Sequence, residues 1–129
     1  MNKILVEVSI GELLDKISIL EIKLDKIKDS ENLKFISNEH SILKKQLDNN
    51  VKSDDKLVKF FQSLKEINEK LWVIEDEKRQ CEKDKDFGEQ FIKLSRDVHF
   101  LNDERAKIKL DINNHTGSSI KEIKEYTSY

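Results

Sequence analysis

The sequence predicts an all-α protein, an elongated antiparallel helical bundle built on a long C-terminal helical hairpin. Apolar residues recur at alternating spacings of three and four along most of the chain, which is the pattern of packed helices. There is no proline and there are only three glycines in 129 residues, so little interrupts helix formation. Charged residues make up 39% of the chain, which is typical of long helices with charged outer faces.

The composition also argues against several classes of partner. Acidic and basic residues are interleaved and leave a net charge of −2, whereas nucleic-acid-binding proteins carry a basic stripe. No apolar run approaches the roughly 18 residues that a membrane span needs. The single cysteine, Cys81, excludes an internal disulfide and favours the reducing cytoplasm. We therefore expect one cytoplasmic domain over residues 1–129, with neither nucleic acid nor membrane as a partner.

The N-terminal half predicts an extended segment followed by a broken helix. Residues 1–8 contain the aliphatic run KILVEV and are expected to be extended. Ser9 and Glu12 have the spacing of a capping box, which starts a helix over about 10–29. The apolar spacing then resumes in a new phase over about 31–48, with Asp29 or Ser30 as the second cap. The pattern leaves open whether residues 10–48 form one bent helix or two.

The C-terminal half predicts the two arms of the hairpin, over about 55–84 and 87–114. Asp86 and Glu89 have the spacing of another capping box, and Gly117 suits a left-handed helix end. The short connection implies antiparallel arms, with the N-terminal helices packed along them. The tail, 118–129, is open between strand, turn and disorder. Because an elongated bundle buries a narrow core, we expect a homodimer formed through the remaining apolar faces.

Polar residues gather in the middle of the hairpin, around the stretch LWVIEDEKRQCE at 71–82. A turn at about residues 85–86 places the carboxylates of the first arm opposite the arginines of the second arm. Such ion pairs would fix the register of the two helices. The predicted pairs are Glu75 and Asp76 with Arg96, Trp72 with His99, Asn68 and Glu69 with Asp103 and Asn102, and Glu66 with Arg105.

The same cluster supports an alternative interpretation as a ligand site. Carboxylates and an imidazole could perform acid–base chemistry, arginines could bind phosphate, and the acids could hold Mg²⁺. The candidate residues are Trp72, Glu75, Asp76, Arg79, Arg96, His99, Asn102, Asp103 and Arg105. The enzyme classes would be pyrophosphohydrolase-like or mutase-like. However, Glu66 and Glu69 supply only the first half of the pyrophosphohydrolase pattern E-x-x-E then E-x-x-D, and similarity to chorismate mutases is limited to size.

Histidine and cysteine predict no further site. His40, His99 and His115 are far apart in the sequence, and a single cysteine gives no zinc-ligand spacing. Cys81 occupies a core-type position of its helix, where a small buried residue is the usual role.

Two stretches resemble a family of short helical proteins of unknown function from bacteria and some phages. They are VEVSIGELLDKISILEIK at 6–23 and LWVIEDEKRQCEKDKDFGEQFIKLSRDVHFLNDERAKIKLDIN at 71–113. His99 stands where members of that family often have tyrosine. The resemblance implies the helical architecture and marks the same polar cluster, but it implies no reaction. We therefore expect a non-enzymatic interaction or scaffold protein without a cofactor, which binds itself, with another protein as a further candidate partner.

Overall fold

The computed structural model describes residues 2–129, and this part of the chain is a bundle of helices without a strand. The helices are α1 (Ile10–Lys26), α2 (Ser30–Asn50), α3 (Asp55–Asp84) and α4 (Glu89–Thr116). The all-α prediction is confirmed, and residues 10–48 form two helices rather than one bent helix. Ile27 has an extended backbone, with ψ of 136°, and this break separates α1 from α2.

Three helices start with a side chain that caps the first turn. Ser9 Oγ accepts a hydrogen bond of 3.0 Å from the amide of Glu12, as predicted. Asp29 and Asp54 cap α2 and α3 in the same way, by accepting from the amides three residues later at 3.0 and 2.8 Å. These bonds satisfy amides that have no partner inside the helix.

Of the two predicted capping boxes, the first is correct only for its Ser9 cap, and the second is wrong. The Glu12 side chain does not return to Ser9, because it accepts a hydrogen bond of 2.7 Å from Lys109 on α4. Asp86 does not cap α4, which begins at Glu89 without a side-chain cap. Instead, the Asp86 carboxylate accepts from the Gly88 amide at 3.1 Å and so stabilises the turn between the arms.

α3 and α4 form the predicted antiparallel hairpin. Near the turn, Lys78 Nζ lies 5.8 Å from the centre of the Phe91 ring. At the far end, the rings of Phe60 and His115 are 6.0 Å apart. The 30 residues of α3 make it about 45 Å long. α1 packs against α2, α3 and α4, whereas α2 lies along α1.

The apolar core sits at the open end of the hairpin, where α1 and α3 begin and α4 ends. Its buried members are Leu14, Leu57, Leu64 and Ile112. α1 approaches α4 closely here because Gly11 has no side chain. A Cβ atom at Gly11 would lie 2.5 Å from the carbonyl oxygen of Lys109.

The segments before α1 and after α4 form neither helix nor strand, and they start from this same end of the bundle. Residues 2–8 are exposed and lie outside the helices. The Ile10 amide donates to Ser118 Oγ at 3.3 Å, so the tail begins beside α1. The tail then runs back along α4, with Glu122 at Lys109 and Tyr129 at Asp103. None of the described helices is long and apolar enough to cross a membrane.

Candidate functional site

A buried polar network joins α1, α3 and α4, and Asp15 is at its centre. Only 1% of Asp15 is exposed to solvent. Asn68 Nδ2 on α3 donates to Asp15 Oδ1 at 2.9 Å and to Ser18 Oγ at 2.8 Å. Ser18 Oγ in turn donates to the Asp15 carbonyl at 2.8 Å. These bonds satisfy polar atoms that would otherwise be costly to bury.

Arg105 on α4 binds both carboxylate oxygens of Asp15. Its Nε donates to Oδ1 at 2.9 Å, and its Nη2 donates to Oδ2. Nη1 points to Asn102 Oδ1 at 3.5 Å. The hydrogen bonds to Asp15 raise the pKa of Arg105 above its usual value. This two-point pairing fixes α1 against α4 with more geometric precision than a single charge contact.

Lys109 extends the network to the tail. Its Nζ donates to Glu12 at 2.7 Å and to Glu122 at 2.8 Å, and it lies 3.9 Å from Asp15 Oδ2. Burial acts to lower the pKa of Lys109, but the hydrogen bonds to Glu12 and Glu122 outweigh it, and the pKa is raised. The hydrogen bond from Lys109 lowers the pKa of Glu122. Lys109 and Glu122 are therefore charged at neutral pH.

The network corrects one predicted pair and contains residues that the sequence analysis missed. Arg105 pairs with Asp15 on α1 and not with Glu66 on α3. Asp15, Ser18 and Lys109 were missed because α1 was not placed in register with the hairpin. A signal was present: Asp15 and Ser18 share one helix face with Ile22, which is buried, at spacings of three and four.

Beside the network lies a groove between α1, α3 and α4, which we call the Trp72 groove. It has a volume of about 500 Å³. Its lining combines apolar and charged side chains: Ile19, Ile22, Asn68, Leu71, Trp72, Glu75, Asp76, Arg79 and Arg105. Arg79 Nη1 donates to Glu75 Oε2 at 2.9 Å on the exposed rim. Five of the nine candidate residues thus come together, namely Trp72, Glu75, Asp76, Arg79 and Arg105.

Three of the other four candidates lie on a different face of α4, and the fourth, Asn102, lies beside Arg105. The Arg96 guanidinium stacks over Phe100, 5.7 Å from the ring centre. The His99 ring lies 4.2 Å from the Phe100 ring and 5.4 Å from that of Tyr129. Tyr129 donates a hydrogen bond to the Asp103 carboxylate, which raises the pKa of the tyrosine.

The predicted pairs of Glu75 and Asp76 with Arg96, and of Trp72 with His99, are therefore wrong. Residues 96, 99 and 103 share one face of α4, while 102, 105 and 109 share another. The turn determines which residues lie at the same height along the hairpin. It does not determine which face of α4 is turned towards α3, and α1 occupies the face that carries Arg105.

Each of the two remaining histidines lies beside a carboxylate, and the cysteine is buried. His40 lies 3.4 Å from Glu21, and His115 lies 2.8 Å from Asp54 at the other end of the bundle. Cys81 is buried, and this burial raises the pKa of its thiol. Within residues 2–129, no three His, Cys, Asp or Glu side chains come together as a possible metal site.

The family relationship of the chain follows from its match to a family model. Residues 4–129 match the model of a family of unknown function, DUF6165. The chain belongs to this family. The resemblance to a helical family of unknown function is thereby confirmed, whereas an origin in bacteria or phages stays a prediction. No curated protein and no solved structure shows significant similarity to this DUF6165 member.

Proposed function

We propose that this DUF6165 member is a cytoplasmic interaction protein that assembles with a second copy of itself and catalyses no reaction. One observation carries the proposal. Ile4, Leu5 and Val6 are consecutive, lie outside the helices and are 87, 84 and 74% exposed. Contiguous apolar surface of this kind is rare on monomeric proteins and marks interaction sites.

Helix α2 supports the same proposal. None of its residues in the range Ser30–Asn50 is buried. Phe35 is 77% exposed, and Ile42, two turns later on the same face, is also exposed. A helix stabilised on one side by α1 alone leaves the other side available to a protein partner. The interleaved charges and net charge of −2 favour protein over nucleic acid as that partner.

The polar network supports a structural role for the interior. Arg105 binds Asp15, and Lys109 binds Glu12 and lies close to Asp15, so these charges are used to join helices. Buried ion pairs of this kind fix the arrangement of helices more than they add stability. This arrangement favours a scaffold over an enzyme whose acids and bases must face a substrate.

The test is the mass of the protein in solution over a range of concentrations. Size-exclusion chromatography with light scattering should give twice the chain mass of 15.2 kDa at micromolar concentration. Dilution should then release the monomer. A mass of one chain at every concentration would contradict self-assembly.

A second candidate function is the binding of a small phosphorylated or carboxylated metabolite in the Trp72 groove. The observation that favours it is the groove itself, because Trp72 offers an apolar wall while Arg79 at the rim offers a cation. Clefts of a few hundred cubic ångströms with apolar walls and a few polar groups are the usual form of ligand sites. Mg²⁺ is expected only for this candidate function, where it would bind together with the phosphate group of the metabolite.

A thermal-shift screen with nucleotides, sugar phosphates and Mg²⁺ tests this candidate. A ligand present at 100 times its Kd should stabilise the fold by about 2.7 kcal/mol. Arg79→Ala should abolish the shift without changing the unliganded protein, because Arg79 is exposed. Arg96→Ala is the matched control, since it removes an exposed arginine on another face. If no compound raises the melting temperature, the ligand site is rejected.

A further inference from the structure

We infer that residues 3–7 of two copies pair as an antiparallel β-ribbon whose two-fold axis passes beside Leu5. The inference rests on the proposed self-assembly and identifies the surface that performs it. The N-terminal segment thus binds the same segment of a second copy.

The backbone of the segment is available for such pairing. Residues 3–8 lie outside the helices, and the sequence predicts an extended conformation for them. Their amides and carbonyls make no hydrogen bond to another described residue. An extended run with unpaired backbone groups is a template for a neighbouring strand. The sequence of this run, rich in Ile, Leu and Val, has high strand propensity.

The side chains of the segment are complementary to themselves in one register. With Leu5 opposite Leu5 of the partner subunit, Lys3 of each copy faces Glu7 of the other. Ile4 then faces Val6, so every apolar residue meets an apolar residue. Opposite charges directly across an antiparallel pair stabilise it. A shift by two residues in either direction removes both charge pairs, which makes this register the favoured one.

The ribbon would have one apolar face and one mixed face. Alternate residues point to opposite sides, so Ile4 and Val6 of both copies form a single apolar layer. An isolated two-stranded ribbon is only marginally stable and needs a covering layer. The tail supplies apolar side chains for this purpose: it begins next to Ile10 and exposes Ile120 and Ile123.

Disulfide trapping tests the register. In a Cys81→Ala background, Leu5→Cys places two thiols directly across the two-fold axis, within the distance that a disulfide requires. Mild oxidation should form the crosslinked dimer at least about tenfold faster than it does in Phe35→Cys. Phe35 is the matched control because it is 77% exposed, compared with 84% for Leu5.

A charge exchange tests the same register without cysteine. Lys3→Glu places two glutamates opposite each other at both ends of the ribbon and should weaken the dimer about tenfold. Lys3→Glu combined with Glu7→Lys restores both pairs and should restore the dimer. Circular dichroism should show unchanged helix content in all variants, because the segment lies outside the helices.

The outcomes separate this inference from the proposed function. A wild-type protein that stays monomeric overturns both. A wild-type dimer that Lys3→Glu leaves intact, or whose Leu5→Cys variant crosslinks no faster than the control, overturns the ribbon and leaves self-assembly through another surface. Fast crosslinking together with rescue by the double exchange supports the ribbon.

Discussion

Asp15 is the residue on which the polar interior depends most. It is almost fully buried, and its carboxylate accepts hydrogen bonds from Asn68 and Arg105. A carboxylate with this burial is stable only while its partners remain, because an unpaired buried charge is costly. The role of Arg105 is therefore to give the buried Asp15 carboxylate a countercharge and a hydrogen bond at each of its oxygens.

Arg105→Ala should destabilise the protein by about 3 kcal/mol, because it leaves the buried Asp15 with the more distant Lys109 as its nearest cation. Urea unfolding followed by circular dichroism measures the change. Arg96→Ala, on the exposed face of α4, should change stability by less than about 0.5 kcal/mol. Equal losses in the two variants would contradict the assigned role of Arg105.

Glu122 should make the docking of the tail sensitive to acid. Its pKa is lowered from a usual value of 4.5 by the hydrogen bond from Lys109. A group whose folded pKa is depressed stabilises the folded state above its unfolded pKa and loses this contribution as the pH falls through the folded value. The glutamine of the variant Glu122→Gln cannot ionise, so the variant lacks the contribution that the wild type loses in acid. Between about pH 5 and about pH 3 its melting temperature should therefore fall less than that of the wild type.

The matched control removes a carboxylate of the tail that makes no ion pair with Lys109. Glu125→Gln, three residues along the exposed tail, should leave the acid dependence of the wild type unchanged. If Glu122→Gln follows the wild-type curve, the contact with Lys109 does not contribute to acid stability.

At the scale of elements, the crossing of α1 and α4 depends on one missing side chain. The Gly11 amide donates to Asn113 Oδ1 at 2.7 Å, and a Cβ at Gly11 would meet the Lys109 carbonyl at 2.5 Å. Because that neighbour is backbone, the two helices would have to separate. The glycine therefore sets the distance between the elements that carry the polar network.

Gly11→Ala should destabilise the protein by about 1–3 kcal/mol through overpacking, although alanine favours helix formation by about 1 kcal/mol at an ordinary site. Thermal unfolding measures the loss. Gly88→Ala is the matched control, since the nearest atom to its Cβ is the movable Asp86 carboxylate at 3.3 Å. Gly88→Ala should lower the stability clearly less than Gly11→Ala does. A larger loss for Gly88→Ala would show that α1 and α4 are free to move apart.

Helix α2 should open before the rest of the bundle. It has no buried residue, whereas α3 carries Leu64 and Ile67 in the core. Local opening requires little free energy where few apolar contacts are lost. Native-state hydrogen exchange should therefore give a lower protection free energy for amides of α2 than for those around Leu64. Equal protection would mean that α2 unfolds only with the whole domain.

The elements themselves were largely predictable from the sequence. Both arms of the hairpin begin and end within about two residues of their predicted positions, because apolar spacing and caps are local signals. The sites of the caps at Ser9 and Asp29 were predictable for the same reason. The partner of the Glu12 side chain was not predictable, because Lys109 is far away in the chain and competes with the local bond to Ser9.

At the scale of the whole molecule, the candidate site was predictable only in part. Residues on one face of α3, from Trp72 to Arg79, could be grouped because helical spacing places them together. Their partners across the hairpin could not, because the rotation of α4 about its own axis depends on where α1 packs. That packing is fixed by Asp15 and Gly11, whose contacts span about a hundred residues of sequence.

The position of α1 has a consequence for the folding of the chain during its synthesis on the ribosome. α1 is made first, but the contacts of Asp15 and Gly11 lie on Arg105 and Asn113, at separations of 90 and 102 residues. During translation the apolar face of α1 has α2 and α3 as neighbours but no α4 to close it. The nascent chain must therefore pass through a stage with an unfinished interior, the stage at which chains aggregate or recruit chaperones.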